Sequence, residues 1–106
     1  MDVKGKLALV LGLGETGLAM ATWLAREGAR VRVADSRALP PNVDALKSAV
    51  PDAELAVGPF AAASFADVDF IAISPGLPVQ EANVQTALAR GVPVVSEIEL
   101  FAWAVH

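Results

Sequence analysis

Short apolar runs alternate along the chain with segments whose apolar residues recur every three or four positions, the pattern of repeated strand-helix-strand units and a parallel sheet. Residues 6–11, KLALVL, show no polar position after the lysine. A strand of that kind is covered on both faces and belongs at the centre of a sheet. Over residues 16–27, Met20, Trp23 and Leu24 fall at i, i+3 and i+4, and Gly28 supplies a left-handed stop, so a helix is predicted. Residues 30–34 alternate arginine with apolar side chains and predict a second strand with one face less fully covered.

Beyond Pro40 and Pro41, the positions Val43, Leu46 and Val50 keep a helical period until Pro51 ends it. Residues 54–57 read as a short third strand at an edge. Residues 59–68 follow no clear period and have room for one helical turn. Residues 69–73 form a fourth, apolar strand closed by Ser74, Pro75 and Gly76. A helix over 80–90 is predicted to turn Val84, Ala87 and Leu88 inward, with Gly91 as its cap. A fifth strand is predicted over 92–95. Its Pro93 belongs near the strand start or on an edge, because it has no N–H to give to a ladder.

The last segment, 96–105, opens with a capping box in which Ser96 pairs with Glu99 three residues later. Ile98, Leu100, Phe101, Trp103 and Val105 then point all round the helix, more than one sheet face can bury. This pattern asks for a second covering partner, either the rest of a longer protein or a dimer contact. The expected fold is therefore α/β, a Rossmann-like doubly wound sheet of about five parallel strands in three layers. Residues 1–95 form the domain proper, and residues 96–106 start a helix leading out of it.

Composition narrows the function classes. The chain of 106 residues is 55% hydrophobic and 19% charged, enough for one well-filled core and too apolar for disorder. No apolar run approaches the roughly 20 residues that cross a bilayer, and the opening residues lack the apolar segment of a signal peptide, so no membrane partner and a cytoplasmic address are expected. Cysteine is absent, which fits a reducing compartment. With a net charge of −4 and scattered basic residues, no stripe forms that would neutralise a nucleic-acid backbone. There is no nucleophile with a base partner, no metal-ligand cluster and no G-x-x-x-x-G-K-[ST] loop, and the single histidine, His106, ends the chain. Neither catalytic nor metal-binding residues are expected.

Binding is a different matter. Parallel strands deliver their C-terminal ends to one edge, and ligands sit in the crevice there. Four segments should converge on it: the turn Gly12 to Gly17 inside LVLGLGETGLA, then Asp35, Ser36 and Arg37, then Ser74, Pro75 and Gly76, then Ser96 and Glu97. In the first, Gly12 permits a tight exit, Gly14 lets main chain approach a phosphate, and Gly17 lets helix and strand close up. Free amides at the helix start attract an anion. Thr16 caps the helix or bonds a phosphate oxygen; Glu15 is awkward there, since its carboxylate repels a diphosphate unless it turns out to water. Asp35 lies within the roughly 20-residue window at which an acid meets a ribose or base, and accepts a ribose hydroxyl, the imino hydrogen of a uracil, or the N–H groups of its own turn. Arg37 pairs with a phosphate, stacks on a base, or is simply solvated. Gly76 allows backbone to pass close to a ligand, or only makes a turn.

The stretches GKLALVLGLGETGLA, VADSR, ISPGLP and VPVVSEIELF together resemble the N-terminal domain of the Mur ligase family of bacterial peptidoglycan synthesis, in its D-glutamate-adding branch. The resemblance runs over essentially the whole chain. It implies a three-domain parent enzyme that joins D-glutamate to UDP-N-acetylmuramoyl-L-alanine with ATP and magnesium, through an acyl-phosphate. The N-terminal domain then holds the UDP part of the substrate, while the ATP loop and amino-acid site lie on the remaining ligase domains. Position by position it implies Gly14, Glu15, Thr16 and Gly17 at the diphosphate, mostly through backbone, Asp35, Ser36 and Arg37 around the uracil, and Gly76 along the diphosphate or sugar. Glu15 departs from the apolar residue expected at its position, so the resemblance carries no side-chain role for it. Two alternatives stand beside this reading: an NAD(P)-binding domain of a dehydrogenase or redox-sensing module, with Asp35 on the adenosine ribose and Arg37 admitting the phosphate of NADP, and a scaffold or dimerisation domain without a ligand.

Overall fold

A computed structural model describes residues 2–103. The expectations placed on Val105 and His106 lie outside the described residues. Five strands, β1 (Leu7–Leu11), β2 (Arg30–Asp35), β3 (Glu54–Val57), β4 (Phe70–Ile73) and β5 (Val94–Ser96), pair in the order β3-β2-β1-β4-β5, all parallel. The crossovers are the helices α1 (Glu15–Arg26), α2 (Val43–Ala49) and α3 (Ala82–Ala89) with a 3-10 turn (Ala62–Phe65), and α4 (Glu97–Ala102) follows β5. The wholly apolar β1 is central and fully buried, and β3 is an edge.

Successive side chains of a strand point to opposite faces, and the two cores divide accordingly. Ala8 and Val10 of β1 pack with Met20 and Leu24 of α1, Leu46 of α2 and Leu100 of α4. Leu7, Leu9 and Leu11 pack with Phe65 of the 3-10 turn and with Val84 and Ala87 of α3. The domain is thus three-layered and doubly wound, and its strand order reverses between the neighbours β1 and β4.

Several boundaries differ from the periodicity for identifiable reasons. The fifth strand starts at Val94 because Pro93 cannot donate; its carbonyl instead accepts the Ile71 N–H at 2.9 Å. Helix α3 starts at Ala82, where the Glu81 carboxylate accepts the N–H groups of Asn83 and Val84 at 2.6 and 3.1 Å. Leu88 is 39% exposed rather than inward. The sheet ends at β5 on this side, so the helix crossing over to it has no strand beneath its outer flank.

The stretch 59–68, which follows no clear period in the sequence, contains the 3-10 turn, and this turn covers the arginine-bearing face of β2. Arg32 gives Nη1 to the carbonyls of Ser64 and Ala66 at 3.0 and 2.9 Å and Nε to Glu54 at 2.8 Å, so the less apolar face is closed by polar contacts. Helix α4 has the expected capping box and buries Leu100 completely. Phe101 meets Trp23 edge-on at 5.9 Å, and Trp103 meets Phe70 at 5.8 Å. Ile98 alone of the helix's large apolar residues is left out, 80% exposed.

Candidate functional site

The ends of β1, β2 and β4 open into one cleft of about 620 Å³. Gly12 leaves β1 at φ 94°, a conformation few other residues adopt, and its N–H reaches the Ala34 carbonyl at 2.8 Å. Leu13 is completely buried and held at both backbone groups: its N–H is donated to Asp35 Oδ2 at 2.7 Å, and its carbonyl accepts from Asn42 Nδ2 at 3.3 Å. Gly14 is the N-cap of α1 with no side-chain cap, so Thr16 does not cap the helix. The first helical bond runs from Leu18 N–H to the Gly14 carbonyl, at 3.0 Å. The N–H groups of Glu15, Thr16 and Gly17 therefore have no helical partner, as at any helix start, and carry the positive end of the helix dipole.

The glycines of this turn differ in what demands them. A Cβ on Gly17 would overlap the Gly12 carbonyl, so Gly17 is required by the fold itself. On Gly14, whose φ of −79° suits any residue, a Cβ would meet nothing within 4 Å. It would project into open cleft, and the molecule's own packing places no demand for glycine there.

Asp35, at the end of β2, is 2% exposed yet ionised. Beyond the Leu13 N–H, it accepts from Arg37 three times: backbone N–H at 2.8 Å and Nε at 2.9 Å on Oδ1, and Nη2 at 2.7 Å on Oδ2. The Arg37 side chain, then the backbone N–H groups of Arg37 and Leu13, outweigh burial and lower its pKa to about 2. The same pairing raises Arg37 above its ordinary value. Arg37 is pinned at its guanidinium edge while half its side chain stays in solvent.

Ser74 continues β4 with its N–H on the Leu11 carbonyl at 3.1 Å. Pro75 and Gly76, the latter at φ 88°, then make the two central positions of a turn closed by the Leu77 N–H on the Ser74 carbonyl at 3.3 Å, the requirements of a type II turn.

Of the residues singled out in the sequence, Gly14, Glu15, Thr16, Asp35, Ser36, Arg37 and Gly76 all line this cleft. Gly17 does not; it is buried beneath the turn. Ser96 and Glu97 do not join it either. They border a second, apolar hollow of about 340 Å³ with Ile73 and Ile98, on the far side of the Ser74–Leu77 turn, because β5 lies one strand beyond β4. Leu13 and Asn42 were not legible as site residues. Leu13 works by burial and Asn42 by reaching back from the start of α2 at φ 67°, a position no local pattern marks.

An open parallel sheet with a glycine turn, free helix-start amides and a fixed arginine at its strand ends defines a doubly wound, Rossmann-like α/β domain. Residues 6–96 match the family model described as Mur ligase MurD-like, N-terminal domain, and the chain belongs to that family. It is 60% identical over its whole length to the UDP-N-acetylmuramoylalanine--D-glutamate ligase of Dechloromonas aromatica, covering 23% of that protein. To the ligase of the same name from Methylobacillus flagellatus it is 55% identical over 98% of its length, again covering 23% of the relative. Among solved structures it resembles a pseudomurein peptide ligase type C from Methanothermus fervidus, at 27% identity and a TM-score of 0.73, over 92% of this chain and 20% of that one. The chain thus spans less than a quarter of the relatives it matches.

Proposed function

We propose that this domain holds the UDP part of UDP-N-acetylmuramoyl-L-alanine in a longer ATP-dependent ligase that adds D-glutamate to it. The observation that carries the reading is the open space over Gly14, beside helix-start amides without helical partners: a glycine the fold does not need, where a phosphate has to approach main chain. In this reading the amides of Glu15, Thr16 and Gly17 face the diphosphate, Gly17 through its backbone only. Ser36 and Arg37 lie at the base, with Asp35 behind them, and Gly76 lines the diphosphate or sugar.

Gripping a remote handle fixes the reacting carboxylate of the substrate relative to ATP, which lowers the entropic part of the barrier. ATP and magnesium belong to the part of the ligase beyond this chain, for no lysine-bearing phosphate loop occurs in the sequence. The binding domain takes in residues 1–95 together with Ser96 of the sheet and α4, whose Leu100 is in its core, and α4 leads toward the ATP-binding domain. A cytoplasmic site of action follows from the nucleotide-linked substrate. The nicotinamide alternative fares worse, since the matching family model and the relatives similar over the whole chain are those of ligases.

Titration of the chain, followed by NMR, with UDP-N-acetylmuramoyl-L-alanine, UDP, NAD and NADP tests this directly. The uridine compounds should bind and the nicotinamide ones should not, and Gly14→Ala should keep the melting temperature while losing uridine binding at least tenfold. Selective binding of NAD, or full binding by Gly14→Ala, would overturn the assignment.

A further inference from the structure

The inference rests on the nucleotide reading and concerns which side chain recognises the ribose. In doubly wound domains the acid after the second strand takes the ribose hydroxyls. Here that acid is Asp35, and four N–H groups, one from Leu13 and three from Arg37, converge on its two oxygens. That fills a carboxylate's capacity of about four lone-pair sites. A hydroxyl reaches it only by breaking the Arg37 fork or releasing the glycine turn.

The cleft has a second carboxylate. Glu15 stands at the first position of α1, exposed and lining the same hollow as Arg37, and no described residue forms a hydrogen bond or ion pair with its side chain. We propose that Glu15 is the acceptor for the vicinal ribose hydroxyls of the nucleotide and so sets specificity for a ribonucleotide, while Asp35 is a positioning residue that locks the base-side loop to the glycine turn.

Two O–H donors of a cis-diol suit two carboxylate oxygens, and a charged acceptor makes the stronger kind of hydrogen bond. The repulsion from the diphosphate does not forbid the arrangement. An exposed carboxylate acts through water of high dielectric, and it sits at a helix N-terminus, where negative charge is favoured.

Titrating the chain with UDP and with its 2′,3′-dideoxy analogue separates the two carboxylates. The wild type should prefer UDP by about tenfold, the worth of one good hydrogen-bonded pair. Glu15→Ala should abolish that preference, bringing UDP and the dideoxy compound to equal affinity. Asp35→Asn should weaken both compounds together, keep their ratio, and move the amide resonances of Leu13 and Gly14 in the free protein. The inference is overturned if Glu15→Ala keeps the preference or tightens UDP binding, which would make the carboxylate merely repulsive, or if Asp35→Asn is the variant that erases the ratio. Failure of the wild type to bind either compound overturns the nucleotide reading itself, a result distinct from equal binding of both, which overturns only the role of Glu15.

Discussion

Asp35 shows how a single residue joins two loops and what pH does to the joint. The count from the glycine turn marks Asp35 as an acidic position at a strand end. Its saturation is not legible, because that depends on the Leu13 N–H arriving from the neighbouring strand and on how the Arg37 side chain folds back. Its pKa is held near 2, below the ordinary 3.8, so the native state favours the ionised form. The sign follows: this stabilisation is complete above the ordinary value and is lost as pH falls through about 2. The shift corresponds to about 2 kcal/mol, given 1.36 kcal/mol per pKa unit. Asp35→Asn should therefore be less stable than wild type at neutral pH, and urea unfolding at a series of pH values should show the gap narrowing by about that much between pH 5 and pH 2. A gap constant with pH would mean that the Arg37 pairing adds nothing to folding.

At the scale of elements, period and punctuation carry most of the information. The apolar run of β1, the i, i+3, i+4 spacing of α1 and the Ser96–Glu99 box each state a local preference that the tertiary structure keeps. The pattern fails where an element is shorter than its own period. The 3-10 turn over Ala62–Phe65 has too few residues to show one, and α3 is capped by a glutamate rather than by the small polar residues favoured at that place. Alternation in β2 correctly marks a less apolar face, but it cannot say that carbonyls of the 3-10 turn will satisfy Arg32. Replacing Arg32 with Met keeps the stem and removes three bonds. We expect a loss of about 1–3 kcal/mol in denaturant unfolding, with hydrogen exchange accelerated first over residues 62–66. Uniform acceleration across the sheet would show that Arg32 supports the whole fold and not this one turn.

The whole molecule has one edge where binding groups and uncovered apolar side chains occur together. Strand order fixes this: every strand end points the same way, so Leu39, after β2, and Ile98, after β5, flank the same edge as the cleft. They are 93% and 80% exposed, although the helix bearing Ile98 is otherwise packed through Leu100, Phe101 and Trp103. The sequence pattern points to a second partner for that helix, and among the described residues the unmet demand is Ile98 and the hollow beside it. The proposed function assigns that cover, and closure of the cleft from above, to the other domains of the ligase, so the isolated domain should bind its nucleotide weakly. Ile98→Lys discriminates between a needed contact and an incidental one. In this chain the side chain already faces water, so calorimetric unfolding should change by no more than about 0.5 kcal/mol. If another domain of the proposed ligase seats Ile98, the same change puts a charge against that seat, so in the longer protein the melting temperature should fall and the KM for the uridine substrate should rise, with UDP binding by the isolated domain unaltered. Equal behaviour of the two proteins would mean that Ile98 stays in solvent throughout and that domain closure leaves this edge of α4 uncovered.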